Sequence, residues 1–177
     1  MKKTADVILD KAIKKSSSAE VFHQRGEVSS VRFENNKLKR VTSNQYEGVA
    51  LRVFVDGRIG FASTTDLRQP ARLVDMAVAS AEFGERPRFD LPPQPDDPPN
   101  VKTLDERIST VEQEDLVEIG RKALITARET NEEYLFSAGL STRTGTERVI
   151  NSSGLDFENT QSRMGASVEI EEVLDGG

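Results

Sequence analysis

The sequence predicts an α+β protein in which antiparallel meander sheets carry helices packed on one face. Three observations lead to this fold class. Apolar residues recur at helical spacing in three segments, apolar and polar residues alternate in several others, and Asn-containing and Asp-Gly turns separate the alternating segments. Two layouts are compatible with this pattern: two repeated helix-plus-meander halves, or one continuous sheet.

The first predicted elements are a helix and two short strands. Apolar residues at helical spacing predict the helix over residues 4–15, with Thr4 as its capping residue. The two strands that follow are centred on Val21 and on Val31 and Phe33.

Turn residues then predict a meander and a second helix. Asn35-Asn36 favours a turn because Asn tolerates positive φ. Asp56-Gly57 joins the alternating strand 48–55 to the next strand, which is the clearest hairpin in the sequence. Thr65 and Asp66 are predicted to cap a helix of about four turns. The apolar face of that helix is predicted to contain Leu73, Met76, Ala77 and Ala81.

A proline-rich strap follows this helix. Six of the seven prolines fall between Pro87 and Pro99, so the segment must be extended and cannot join a central strand. We therefore divide the chain into three regions. Residues 1–86 hold a helix, a meander and a helix, residues 87–100 are the strap, and residues 101–177 hold a second helix and a second meander.

The elements of the last region are predicted in the same way. Its helix opens at a capping-box pattern that runs from Ser109 to Glu112. Three strand candidates complete the chain, over residues 133–142, 146–153 and 163–173. The helix residues expected to face the core are Leu116, Ile119, Ala123, Leu124 and Ala127.

Short echoes between the two halves are compatible with an internal duplication. Under that alignment Asp175-Gly176 matches the turn Asp56-Gly57, but no strand follows it as one follows the first turn. We therefore expect the second meander to be truncated at its last hairpin and the chain to be a fragment of a larger protein.

Composition limits the classes of partner. The 177 residues include 31% charged and 36% hydrophobic residues and carry a net charge of −6, which is typical of a soluble globular protein. Lys and Arg form no basic stripe, so we expect no nucleic-acid partner. No apolar run approaches the roughly 20 residues that cross a bilayer, and there is no signal peptide, so we expect no membrane association and a cytoplasmic location.

The single histidine, His23, is the first candidate for chemistry. Alternation places it on the strand face of Ala19 and Val21, opposite Phe22. No HxH or HExxH pattern supplies further ligands, and the chain has no cysteine. We interpret His23 as structural or partly exposed, and we expect no cofactor in this chain.

An acidic cluster near the C-terminus contains Glu169, Glu171 and Glu172. In a strand the first two would point to solvent, and Glu172 would break the alternation at a bulge or at the strand end. A solvated strand face is therefore a better interpretation than a cation site. The apolar residues predicted on the opposite face are Ala166, Val168 and Ile170.

The other polar candidates also lack partners for catalysis. Asp96-Asp97 is not accompanied by the further ligands and the glycine of a calcium loop. Ser16–Ser18 and Ser152-Ser153 have no evident base and no GxSxG turn. Asn151–Gly154 is interpreted as a turn.

Two stretches of the chain carry a family resemblance. ENNKLKRVTSNQYEGVALRVFVDGRIGFASTTDL and VINSSGLDFENTQSRMGASVEI are similar to the N-terminal part of the TldD/PmbA family, whose members are also called modulators of DNA gyrase. The segment GRIGFASTTDL resembles the PmbA (TldE) branch more closely than TldD. The resemblance extends over nearly the whole chain and implies that the three regions together form one TldD/PmbA N-terminal domain.

The resemblance also implies a zinc-dependent peptidase system in which TldD-like and PmbA-like subunits pair. The metal site of the family, HExxxH with a distant cysteine, lies in the C-terminal half of TldD-type subunits, and this sequence contains neither motif. No catalytic or metal-binding residue is therefore assigned here, substrate-binding residues stay unknown, and zinc is expected only in the catalytic half of a TldD-type subunit. The chain alone should be inactive.

Three hypotheses for the function follow. In the first, the chain is a non-catalytic N-terminal domain that supports subunit assembly and binds unfolded peptide, with a TldD/PmbA-type subunit or a second copy as partner. In the second, it is a self-standing binding or regulatory module without enzymatic activity. In the third, it is a soluble α+β domain whose family likeness is misleading.

Overall fold

The computed structural model describes residues 2–97, 101–130 and 134–171. Within them the α+β class is confirmed: a five-stranded antiparallel sheet has the order β3-β2-β1-β4-β5, and helices pack on one side of it. This arrangement matches the continuous-sheet layout, and the repeat of two halves stays a hypothesis.

The strands are β1 (Ser18–Glu34), β2 (Lys37–Val55), β3 (Arg58–Thr64), β4 (Leu135–Asn151) and β5 (Asp156–Glu171). The helices are α1 (Lys2–Ala12), α2 (Pro70–Ser80), α3 (Glu106–Ser109) and α4 (Gln113–Arg128), and a short 3-10 turn, Ala81–Phe83, follows α2.

The strands are longer and fewer than the sequence predicts. β1 is one strand of 17 residues where we predicted two short ones, and β4 joins the predicted strands 133–142 and 146–153. The sheet order explains the difference, because both strands are internal and have a neighbour on each side. Backbone pairing on two sides keeps a polar middle stretch extended even where the apolar alternation is lost.

Two tight turns set the register of the first three strands, as predicted. Asn35 and Asn36 have φ angles of 49° and 63°, and Asp56 and Gly57 have φ angles of 49° and 72°. Positive φ at both central residues is typical of the two-residue hairpin turns whose twist matches that of the strands. After the second turn β2 and β3 pair from Val55↔Arg58 to Val49↔Thr64.

The predicted beginnings of the helices were wrong in three places. α1 begins at Lys2, so Thr4 lies inside the helix instead of capping it. α2 begins at Pro70 and has 11 residues, about three turns, and its N-cap Gln69 makes no side-chain capping bond. In the second half the predicted capping box is too early, because α3 ends at Ser109 and the box forms between Glu112 and Asp115 at the start of α4.

The apolar faces of α2 and α4 were predicted correctly for most of the buried residues and wrongly for one residue in each helix. In α2 the buried residues are Leu73, Val74 and Ala77, whereas the Met76 side chain is exposed. In α4 Ile119 is likewise exposed, and the buried residues are Leu116, Gly120 and Leu124.

The chain divides into two compact units, each assembled from three segments. The first contains residues 1–25, 46–101 and 146–160, and the second contains residues 26–45, 102–145 and 161–177. The predicted domain boundaries at residues 86 and 100 stay a prediction.

In the first unit α1 and α2 cover one face of the sheet. Their buried side chains meet those of β1, β2, β3 and β4 in one apolar cluster. Burial of this kind stabilises by about 25 cal/mol per Å² of apolar surface removed from water. The fully buried members include Ile8, Val21, Leu51, Leu73 and Val74.

The strap is described up to Asp97. Together with residues 84–86 it forms a segment that crosses the first unit without regular secondary structure. Its Leu91 is buried, and Phe89 lies against the Phe54 ring in an edge contact with centroids 5.8 Å apart. Its backbone and side chains also bond to three strands in turn: Ile59 N donates to Glu85 O (2.9 Å), Asn151 Nδ2 to Pro92 O (2.8 Å) and Asp156 N to Gln94 Oε1 (2.9 Å).

In the second unit α4 packs on β1 and β4. Phe33 and Phe136 are almost fully buried beneath it. Gly120 allows this close approach, because a Cβ at its position would lie 2.3 Å from Phe33 Cε2 and 2.9 Å from Leu140 Cδ1. The residues buried in the cluster are Val31, Phe33, Leu116, Leu124, Phe136, Ala138 and Leu140.

Replacing Gly60 tests the close approach of β3 and α2. A Cβ at Gly60 would lie 2.0 Å from the backbone oxygen of Ala77, so backbone must move to admit it. We expect Gly60→Ala to lower the free energy of unfolding by about 2 kcal/mol in urea denaturation. Gly48→Ala is the matched control in a strand, because its Cβ would meet Thr64 O at an ordinary 3.5 Å. Equal effects of the two substitutions would contradict this account.

Candidate functional site

His23 is buried on the predicted face, together with Ala19 and Val21. Its Nε2 atom lies 2.8 Å from Glu47 Oε1 on β2. Its Nδ1 atom is buried and has no hydrogen-bond partner within the part of the chain that the structure describes. His23 therefore has one carboxylate neighbour and lies within the sheet, where it contributes to packing.

The described acidic candidates lie in the strap and on β5. Asp96 and Asp97 are exposed in the strap. On β5, Arg32 Nη2 donates to Glu169 Oε2 at 3.4 Å, and Glu171 is exposed. Glu172 and Asp175-Gly176 lie outside the described residues. In residues 2–97, 101–130 and 134–171, no group of three or more His, Asp or Glu side chains is arranged to hold a metal ion.

The apolar residues of the same strand were predicted to face away from solvent, and this is wrong for the described part. Ala166, Val168 and Ile170 are all exposed, and Val168 and Ile170 keep 48% and 64% of their surface accessible. β5 is the last strand of the sheet, and α4 packs over β1 and β4 instead. Among the described residues, no segment covers either face of β5 at this end.

The turn Asn151–Gly154 is confirmed. Gly154 has a φ of 96°, and Asn151 Oδ1 accepts hydrogen bonds from the N–H groups of Ser153 (2.8 Å) and Leu155 (3.1 Å). Ser152 bonds to Ala19 at the start of β1: Ala19 N donates to Ser152 Oγ and Ser152 N donates to Ala19 O. These groups close the end of the sheet, and Ser152 has a structural role. Ser16 and Ser17 likewise donate to backbone oxygens, those of Ala12 and Phe54.

Sequence reasoning missed a buried arginine, Arg148 on β4. Only 3% of its side chain is exposed. Its guanidinium donates to both oxygens of Asp6 on α1 (3.1 Å each) and to both oxygens of Asp156 on β5 (2.8 Å each). The hydrogen bonds to Asp156 and then to Asp6 raise the pKa of Arg148, so it stays charged. Its position two residues before the buried Ile150 was the available signal, because both lie on the inward face of the strand.

Two exposed Asp-x-Arg pairs lie near the starts of helices. Asp66 and Arg68 precede α2, and Asp105 and Arg107 lie at the start of α3. Arg68 bonds to Asp66 through its backbone N–H and its side chain, and Arg107 bonds to Asp105 in the same way. These hydrogen bonds lower the pKa of each carboxyl from 3.8 to about 2. Asp66 therefore orders the turn before α2, and Asp105 caps α3.

Two strand edges of the second unit lack a neighbouring strand in the described residues. The first, which we call the β2 edge, is Lys37–Gln45, because β3 pairs with β2 only from Val49 to Val55. The second, the β5 edge, is Arg163–Glu171 on the last strand of the sheet. An unpaired edge presents backbone N–H and C=O groups to any extended chain that approaches.

The sheet with helices on one side is a fold shared with solved structures. The chain is similar to a candidate modulator of DNA gyrase from Bacteroides thetaiotaomicron, with 20% identity, a TM-score of 0.87, and coverage of 99% of this chain and 42% of that one. It is also similar to TldE from Thermococcus kodakarensis (17% identity, TM-score 0.85, 97% and 40% covered). A third similar structure is a candidate modulator of a DNA gyrase from Thermotoga maritima. It has 16% identity and a TM-score of 0.78, and the match covers 96% of this chain and 42% of that one.

These likenesses concern the fold, and a separate match concerns the sequence. Residues 19–81 match the family model described as PmbA/TldA metallopeptidase domain 1, which agrees with the resemblance to the N-terminal part of the TldD/PmbA family. The chain spans about two fifths of the length of the solved structures it matches. No curated protein matches it. The closer likeness to the PmbA branch stays a prediction.

No helix of the described residues has the length and apolar character needed to span a membrane.

Substitution of Arg148 tests its role as the link between α1 and β5. Arg148→Ala leaves two carboxylates without their cation and opens space beneath α1, so we expect a loss of about 2–3 kcal/mol in the free energy of unfolding. Asp6 and Asp156 stay about half exposed, which keeps the loss below that of a fully buried pair. Arg107→Ala is the control, because 90% of the Arg107 side chain is exposed and ion pairs of such side chains contribute little to stability. A loss no larger than the control's would contradict this role.

The two Asp-x-Arg pairs predict a specific acid dependence. Their carboxyl pKa values are lowered, so their stabilisation is complete above pH 3.8 and is lost as the pH falls through about 2. Carboxyl-carbon NMR titration should give midpoints near 2 for Asp66 and Asp105. Arg68→Gln should raise the carboxyl pKa of Asp66 towards 3.8 and leave the pKa of Asp105 unchanged. An Asp66 midpoint that does not respond to this substitution would show that Arg68 is not the cause.

Proposed function

We propose that the chain is a non-catalytic N-terminal domain of a TldD/PmbA-type metallopeptidase that supports subunit assembly and binds unfolded peptide. The observation that carries the peptide-binding part is the β2 edge, Lys37–Gln45. It continues a strand whose other part is already paired with β3. An extended peptide can add to such an edge through backbone hydrogen bonds, without regard to its own sequence. A peptidase system that acts on unfolded chains would use this property.

The side chains of the β2 edge are accessible to a peptide, and their charges favour some peptides over others. All but Thr42 are exposed along Lys37–Gln45. Thr42 bonds to Ser30 on β1, which holds the inner side of the strand in place. Lys37, Lys39 and Arg40 make the edge basic, so neutral and acidic peptides are expected to approach it more readily than basic ones. This preference should weaken with added salt.

Under this proposal the zinc site and the catalytic residues of the family lie outside this chain. The chain contains one histidine and no cysteine, and His23 is buried beside Glu47. Zinc and the bond-breaking groups would come from a TldD-type partner subunit or from a longer polypeptide that includes this domain. A TldD/PmbA-type subunit or a second copy is the proposed partner, and the cytoplasm is the proposed location.

Peptide N-methylation tests backbone recognition directly. A casein-like unfolded peptide and the same peptide N-methylated at alternate residues have the same side chains but differ in the N–H groups that form a strand ladder. We expect fluorescence anisotropy to show binding of the plain peptide and a loss of about ten-fold or more with the methylated one. Equal affinity for both peptides would eliminate strand addition.

Two substitutions serve as location controls in the same assay. Lys39→Glu reverses a charge on the β2 edge and should weaken binding of an acidic peptide at low salt. Lys14→Glu reverses an exposed charge in the turn after α1, in the first unit instead of on the β2 edge, and should have a much smaller effect on binding. The 177-residue chain should also show neither stoichiometric zinc binding nor peptide hydrolysis, and either activity would disprove the non-catalytic assignment.

A further inference from the structure

We propose that a groove between the β2 edge and α4 orients the bound peptide, which adds antiparallel to β2 with a basic side chain towards Glu114 and an acidic side chain towards Arg121. The inference rests on the proposed peptide binding at the β2 edge and names the substrate class that this edge selects. That class is an extended segment in which a basic residue precedes an acidic residue.

The groove, which we call the α4 groove, lies beside the β2 edge within the second unit. Its volume is about 560 Å³, and it is lined by Val41 of the β2 edge and by one face of α4. Every second side chain of a strand added to the β2 edge points to the face of the sheet that carries α4, so these side chains can enter the groove. The α4 residues that line it are Gln113, Glu114, Val117, Glu118 and Arg121.

The lining combines apolar and charged side chains. Val117 packs against the buried cluster of the second unit, and Val41 keeps 37% of its surface accessible. Glu118 already pairs with Lys122 on the same helix. Glu114 and Arg121 are exposed and make no ion pair within the part of the chain that the structure describes. These two charges are therefore available to opposite charges on a peptide.

Glu114 and Arg121 lie at opposite ends of the lining. They are seven positions apart on α4, which is about 10 Å along the helix axis. Two side chains four positions apart in a strand lie on the same face and are about 13 Å apart, a difference that long charged side chains can span. The side chain midway between them faces the apolar part of the groove.

The direction of α4 follows from its connection to β4. α4 ends at Arg128, and β4 begins at Leu135. Phe136, at the start of β4, bonds to Asn36 in the turn between β1 and β2. Consecutive elements joined by a short connection lie beside one another, so the C-terminal end of α4 is the end towards this turn. Arg121 is therefore closer to the turn than Glu114.

The charges of the β2 edge have the same polarity. β2 begins directly after the turn, so its first residues lie towards Arg121. Residues 43–45 lie towards Glu114 and carry no charge. One end of the site is therefore basic and the other is acidic. The basic residues of the β2 edge are Lys37, Lys39 and Arg40.

This polarity determines the order of charges in an antiparallel peptide. Because β2 begins at the basic end, a peptide antiparallel to it begins at the acidic end, beside Glu114. A basic residue placed N-terminal to an acidic residue then meets opposite charges at both ends, whereas the reversed order meets like charges. Antiparallel pairing is also slightly more stable per residue than parallel pairing.

Two peptides of the same composition test this order. Both consist of serine and threonine around one central valine, with two charged residues four positions apart and blocked termini. Lysine precedes glutamate in the first peptide, and glutamate precedes lysine in the second. We expect fluorescence anisotropy at low salt to show about five-fold tighter binding of the first peptide. The difference should shrink with added salt.

A charge exchange in the protein locates the effect. Glu114→Arg combined with Arg121→Glu keeps the net charge and leaves the capping box of α4 intact, and it should remove the preference for the lysine-first peptide. The matched control, Lys14→Glu combined with Glu82→Lys, exchanges exposed charges of the first unit and should keep the preference. Circular dichroism would verify that both double variants are folded.

The outcomes separate this inference from the proposed function. Equal affinity for the two peptides, with N-methylation still weakening binding, would overturn the inference and leave strand addition intact. Tighter binding of the glutamate-first peptide would also overturn it, as would a preference that survives the exchange at Glu114 and Arg121. Binding of neither peptide, or equal binding of their N-methylated forms, would overturn the proposed function and this inference with it.

Discussion

Backbone pairing of the long internal strand β1 is the constraint on which the rest of the structure depends. β1 has β2 on one side and β4 on the other, so its polar middle is held extended between two neighbours. The turn Asn35-Asn36 fixes the register of β1 and β2, and Asn36 also bonds to Phe136 at the start of β4. Once these strands are aligned, their alternation places one set of side chains beneath the helices.

The unequal lengths of the strands produce the candidate functional surfaces. β2 has 19 residues and β3 has 7, so β3 can pair with only part of β2. The remainder, Lys37–Gln45, keeps a strand conformation through its pairing with β1 and leaves its other side open. On the far side of the sheet the last strand, β5, is open beyond Ser162 for the simpler reason that no described segment covers it. The same pairing that builds the fold therefore leaves two edges without a neighbouring strand among the described residues.

Local signals predicted the parts of this fold that depend on neighbouring residues. Asn35-Asn36, Asp56-Gly57 and the face of His23 followed from turn chemistry and from alternation, and the structure confirms them. The length of β1 and the bonds of Arg148 depend on residues far away in the sequence, since Arg148 meets Asp6 across 142 positions. No local pattern contains that information. The positions of the open edges also required the sheet order and the register.

Backbone amide exchange measured with and without an unfolded peptide is the most direct test of the central claim, that the domain binds peptide by strand addition. Open edges should exchange quickly in the free protein, because their N–H groups have no partner strand. The account predicts that peptide slows exchange at alternate residues of Lys37–Gln45, while Leu51 and Val53, already paired with β3, do not change. Protection confined to other surfaces, or none along Lys37–Gln45 at saturating peptide, would contradict it.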